Sequence, residues 1–187
     1  METKEKSFSV RDLTLTAMMA AMLAVCSWIS IPVLQIPVTL QTLGVAFALI
    51  LLGGRNGLIA ICVYLALGAA GAPVFSGFKG GLSVLGGPTG GYLVGFVFMG
   101  LVYILVTHKR EDNKVWQAVG LAAGLLVCYA FGTGWFMVVS AAAGGNSRSI
   151  GAVLMLCVVP FLLPDGVKLA GAIILGNEVK KRIRQQP

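Results

Sequence analysis

Charge is scarce along this sequence. Asp, Glu, Lys and Arg make up 11% of its 187 residues, against 57% for the apolar and aromatic set, and the mean hydropathy is +0.90. A soluble fold of this length has no interior large enough for that much apolar surface, whereas a bilayer removes the need to hide it. Histidine is nearly absent. The single one, His108, lies in a charged stretch, which excludes a Ser–His protease in the membrane and a histidine metal site. No GxxxxGK[ST] segment occurs, so the chain supplies no P-loop for ATP. Apolar stretches do not offer two carboxylates to share a proton, which argues against an aspartyl-type membrane protease. Cys26, Cys62, Cys128 and Cys157 each stand alone in apolar sequence, with no CxxC pattern, and read as small packing residues. No twofold repeat of hydropathy of the kind found in many secondary transporters is visible. Nothing here points to an enzyme, a cofactor or a metal.

What is present is a series of apolar runs. They predict an all-α integral membrane protein, one domain over residues 1–187 with short tails at about 1–12 and 183–187. The polar start, Met1 to Asp12, does not resemble a cleavable signal peptide, so the first run is read as a membrane helix. Spanning helices are expected at 13–31, 39–52, 58–70, 91–107 and 115–143. A short segment follows at 150–159. Pro160 and Pro164 are expected to break the chain before a sixth span at about 164–182. With six spans, Lys4, Lys6, Arg11, Arg55, Lys109, Arg110, Lys114, Lys180, Lys181, Arg182 and Arg184 fall on one side. Lys79 and Arg148 fall on the other and Lys168 lies within the last helix, which accounts for all 14 basic residues. The positive-inside rule then places both termini in the cytoplasm. It also explains the net charge of +7 without a nucleic-acid partner.

The second and third spans are short for a bilayer core and are followed by segments rich in Gly and Pro. That combination points to a cavity opening at the outer side. One such segment is Ile31–Gln41. The other, Gly71–Gly91, holds eight glycines in 21 residues, yet also Phe75, Phe78, Leu82, Val84 and Leu85. So apolar a segment reads as a packed lid or re-entrant loop rather than a solvated linker.

Asp165 and Lys168 give the strongest chemical signal. Three residues apart, they share one helical face inside an apolar span, where an unpaired charge is costly. Together they offer an acceptor and a donor to a neutral polar ligand with both N–H and C=O groups, such as a urea-like ring. Thr39 and Gln41, at the entry to the second helix, are either ligand contacts or helix-entry polar residues. Tyr64, Phe75, Phe78, Tyr92, Tyr129 and Trp135 could wall a pocket or simply pack. Small residues recur four apart at Ala17/Ala21, Ala20/Ala24, Gly91/Gly95 and Gly120/Gly124. Such stripes allow close helix packing, within the chain or against a partner.

The run TLQTLGVAFALILLGGRNG, then YLALGAAGAPVFSGF, GGLSVLGGPTGGYLVGF and PFLLPDGVK resembles the BioY family over about 13–181. These are the biotin-specific substrate-capture (S) components of energy-coupling factor (ECF) transporters. The most specific parts are GPTGGY at 87–92 and the Asp-x-x-Lys at 165–168. The resemblance implies a six-helix S-component fold in the bacterial cytoplasmic membrane and capture of biotin from outside. It implies as partners a transmembrane coupling protein and two ATPase subunits. It implies that Asp165 and Lys168 contact the biotin ring system, with Gln41, Phe75, Ser76, Lys79 and Tyr92 as further site residues. Either Ser76 or Lys79 could be the polar contact expected after Phe75. It also implies that Ala17, Ala20, Ala21 and Ala24 dock the coupling protein. The order Pro164-Asp165-Gly166 departs from the Pro-Gly-Asp common in the family. An S component for another vitamin, or a stand-alone small-solute transporter, are the alternatives.

Overall fold

The computed structural model describes residues 9–31, 37–144 and 149–185. Residues 32–36 of the Ile31–Gln41 segment, Arg148 and the ends of both tails lie outside the described residues. The chain is a helical bundle. Its elements are α1 (Val10–Trp28), the two-residue strands β1 (Ser30–Ile31) and β2 (Val38–Thr39), α2 (Gln41–Leu52), α3 (Gly54–Ala69), a single turn α4 (Leu82–Leu85), α5 (Gly90–Thr107), α6 (Lys114–Ala142), α7 (Ile150–Cys157) and α8 (Val159–Gln185). Four helical segments are long and apolar enough to cross a membrane: Val10–Trp28, Gly90–Thr107, Lys114–Ala142 and Ile150–Ile183, the last joining α7 and α8. Two shorter apolar helices, α2 and α3, have 12 and 16 residues.

Helices form here because apolar side chains in a bilayer leave the backbone no partner but itself. Their starts carry polar caps. Ser9 accepts from the Arg11 N–H, Asn113 from Val115 and Trp116, and Ser149 from Ala152. Gly53, at φ +81°, makes the abrupt reversal between α2 and α3, a backbone shape that favours glycine.

The prolines act differently from the sequence expectation. The break falls at Val158, before Pro160, and α8 starts at Val159 rather than at Pro164. Pro160 therefore sits in the first turn, where its missing N–H would have had no helical partner. Pro164 lies inside α8 and forfeits only the bond to the Pro160 carbonyl. Both Phe161 and Leu162 donate to the Val158 carbonyl, which starts the helix without a side-chain cap.

The glycine stripes are internal. α5 and α6 lie so close that a Cβ at Gly95 would stand 2.7 Å from the Cys128 sulfur, and one at Gly124 2.8 Å from the Met99 carbonyl oxygen. Gly91 and Gly132 likewise admit Trp135 and Tyr92. On α2 and α3, Gly57 lets the Leu49 backbone approach in the same way.

One end of the bundle gathers the charged residues. Arg11 donates to the Ile183 carbonyl at 3.1 Å, and Lys180 pairs with Asp112 at 2.9 Å. Beside them Gln117, fully buried, donates to the Glu111 carbonyl at 2.7 Å and exchanges amide hydrogen bonds with Asn177. The N-terminus of α1, the α5–α6 turn and the C-terminus of α8 thus share this end. The starts of α2, α5 and α8 lie at the other.

The alanine stripe on α1 divides, contrary to the expectation of one docking face. Ala17 and Ala21 are exposed, whereas Ala20 and Ala24 are 3% and 5% exposed and pack in the chain's own core.

Candidate functional site

At the end away from the charged cluster the bundle holds an open-mouthed cavity of about 760 Å³. Asp165, Lys168, Gln41, Lys79, Phe75, Tyr92 and Ser76 all line it. They come from α8, α2, the glycine-rich loop and α5, and are brought together only by the fold.

Asp165 is 3% exposed. Lys168 Nζ donates to its Oδ1 at 2.7 Å, and the Tyr129 hydroxyl donates to its Oδ2 at 2.5 Å. An i,i+3 pair on α8 is thereby tied to α6. The pair is neutral as a unit and both charges have hydrogen-bond partners, the condition under which an ion pair is tolerated away from water. A carboxylate has about four lone-pair positions, so Asp165 retains capacity for a further donor. Tyr129 stood among the aromatic candidates, but its bond to Asp165 crosses 36 positions of sequence and had no signal there.

Gln41 is a structural tie as well as a wall residue. Its amide donates to the Tyr64 hydroxyl at 2.7 Å, and its carbonyl accepts from Thr39 at 3.1 Å. Tyr64 in turn donates to the Val74 carbonyl at 3.2 Å, which joins α2, α3 and the glycine-rich loop. The unused amide hydrogen and lone pair of Gln41 remain for a ligand. Tyr92, half-buried, shares a 3.2 Å hydrogen bond with Thr133 of α6.

The glycine-rich loop packs onto the bundle rather than hanging free. Phe75 is buried in a notch made by Gly68 and meets Tyr64 edge-on at 5.6 Å. Phe75 and Lys79 exchange backbone hydrogen bonds around a tight turn. Phe78, at its tip, stacks on Trp28 of α1 at 5.0 Å. Gly90 and Gly91 of the GPTGGY segment are needed for contact: a side chain at either would collide with the Leu85 backbone or with Trp135. Trp135 also donates to the Gly87 carbonyl at 3.0 Å.

Phe96, Leu125 and Phe161 supply apolar wall that sequence reasoning did not single out. They are ordinary core residues by pattern, and only the bundle's geometry turns them toward the cavity. Mostly apolar walls with a few polar groups are the usual make-up of a small-molecule site. Among the described residues no three His, Cys, Asp or Glu side chains gather where they could hold an ion.

A bundle of apolar, membrane-length helices with a ligand-sized cavity at one end defines a class: small membrane proteins built to hold a small molecule. In agreement, the crystal structure of the S-component for biotin from an ECF-type ABC transporter superposes with a TM-score of 0.80, covering 97% of this chain and 95% of that one at 24% identity. The model of the BioY family matches residues 1–185, and the chain belongs to that family. It is 37% identical to the biotin transporter BioY of Thermotoga maritima, over 92% of this chain and 97% of that protein. To the biotin transporter BioY of Rhizobium etli it is also 37% identical, over 91% and 94% of the two chains.

Proposed function

We propose that this chain is the biotin-capturing S component of an ECF-type ABC transporter. The observation that carries the reading is the largely buried Asp165–Lys168 pair in the wall of the cavity. Asp165 accepts from a ureido N–H of the ligand, and Lys168 donates to a polar atom of the ring system. Gln41 and Ser76 add polar contacts, while Phe75 and Tyr92 cover the thiophane ring and the tail. α1, α2, α3, α5, α6 and α8 are six spans, with both termini and the charged end in the cytoplasm of a bacterial cell membrane. The cavity then opens outward, where the substrate is. The exposed Ala17 and Ala21 contribute to the face that meets a transmembrane coupling protein. Two ATPase subunits supply the energy, since the chain carries no nucleotide-binding segment.

The test is native mass spectrometry of the detergent-purified chain, with titration calorimetry against biotin and competition by other vitamins. A bound molecule of biotin's mass, displaced by biotin alone, is the expected result. Retention of a different vitamin, or no biotin binding, overturns the assignment. Labelling of cysteines introduced at the two termini in intact cells checks the topology. Reaction with a membrane-impermeant reagent at either one contradicts it.

A further inference from the structure

The cavity carries one carboxylate and two ammonium groups, Asp165, Lys168 and Lys79. Asp165 and Lys168 cancel one another at 2.7 Å. Lys79 has no acidic partner among the described residues. The site therefore keeps an uncompensated positive charge, and it sits at the exposed rim.

The rim turn is built rather than loose. The Phe75 N–H donates to the Lys79 carbonyl at 2.9 Å, and the Lys79 N–H to the Phe75 carbonyl at 3.3 Å. Phe75 is 1% exposed, so the backbone of Lys79 is pinned to a core residue. Between them Gly77 and Phe78 both take left-handed backbone, at φ +71° and +57°. A bulky side chain in that conformation is strained and persists where its surroundings hold it. Trp28 does so: its ring stacks on Phe78, and its Nε1–H donates to the Pro73 carbonyl at 2.9 Å. The strained turn fixes where Lys79 stands relative to the buried pair.

We infer that Lys79 is the receptor for the carboxylate of a monoanionic ligand whose neutral polar head is held by Asp165 and Lys168. This rests on the biotin reading and assigns the acid end of the valerate tail to the rim. Lys168 is the weaker candidate for the carboxylate because Asp165 already balances its charge at 2.7 Å.

Calorimetry of the full-length chain in detergent with biotin and with biotin methyl ester tests the assignment. The wild type is expected to prefer biotin by about tenfold, the scale of one charge-assisted hydrogen bond at a partly solvated site. In Lys79→Met that preference falls toward unity, and in Lys79→Arg it returns. A preference that survives Lys79→Met, or none in the wild type, overturns the role of Lys79 while leaving biotin capture standing. Loss of the preference in Lys168→Met but not in Lys79→Met gives the carboxylate to the buried lysine and equally overturns it. A wild-type chain that binds neither compound overturns the biotin reading, and the role of Lys79 with it.

Discussion

Asp165→Asn is expected to weaken biotin binding by about 100-fold or more. Two losses add. The amide cannot offer a ligand N–H the charged acceptor that the carboxylate provides, and hydrogen bonds to charged groups carry about 1.5–3 kcal/mol. Lys168 also loses its counter-charge while its side chain stays only 10% exposed. Breaking a buried pair from one side costs about 3–5 kcal/mol, because the remaining charge stands uncompensated. Part of that second cost falls on the empty protein, so the affinity change is smaller than the sum. A loss of about 3 kcal/mol corresponds to roughly two decades in Kd. Tyr129→Phe is the graded comparison. It removes one donor to Asp165 and leaves the ion pair, so a loss of about tenfold is expected. Titration calorimetry on both variants checks the order. Unchanged affinity in Asp165→Asn excludes the carboxylate from the ligand.

The membrane class, the apolar runs and the Asp165–Lys168 pair were legible in the sequence for a common reason: each depends on local composition, or on residues of rare type in apolar surroundings. Gln41, Phe75 and Tyr92 were open between site and packing on the residues alone, and Ser76 and Lys79 entered only through the resemblance to the BioY family; all five line the cavity. What was not legible depends on which way a helix faces. Ala17/Ala21 and Ala20/Ala24 form two neighbouring stripes on α1 at the same four-residue spacing. The spacing cannot say which stripe turns inward, and the core took Ala20 and Ala24. Pro160 and Pro164 marked the right neighbourhood for a break. The break moved ahead of both, because Pro is tolerated in a first turn and a bilayer penalises unwound backbone more than one missing hydrogen bond. The Tyr129–Asp165 bond was out of reach because it requires the α6–α8 packing to be known first.

That packing descends from α5 and α6, and Gly124→Leu is expected to break it. In a bilayer no solvent-driven force presses helices together, so van der Waals contact at close approach carries much of the association. A Cβ at Gly124 would stand 2.8 Å from the Met99 carbonyl oxygen and 3.1 Å from its Cα. Backbone atoms cannot rotate aside as a side chain can, so the helices must separate. Overpacking of this kind costs about 3 kcal/mol, which for a chain of this size is roughly 10 °C in Tm. Gly134→Leu on the same helix is the control, since nothing lies within 4 Å of a Cβ there. It should melt within a few degrees of wild type. Thermal unfolding in detergent separates the two, and equal melting temperatures would show that close contact at Gly124 does not hold the bundle. The damage should also reach the site. Tyr92 of α5 meets Thr133 of α6 at 3.2 Å across this interface, and Tyr129 extends from α6 to Asp165. Any Gly124→Leu protein that remains folded therefore binds biotin more weakly, although residue 124 does not line the cavity.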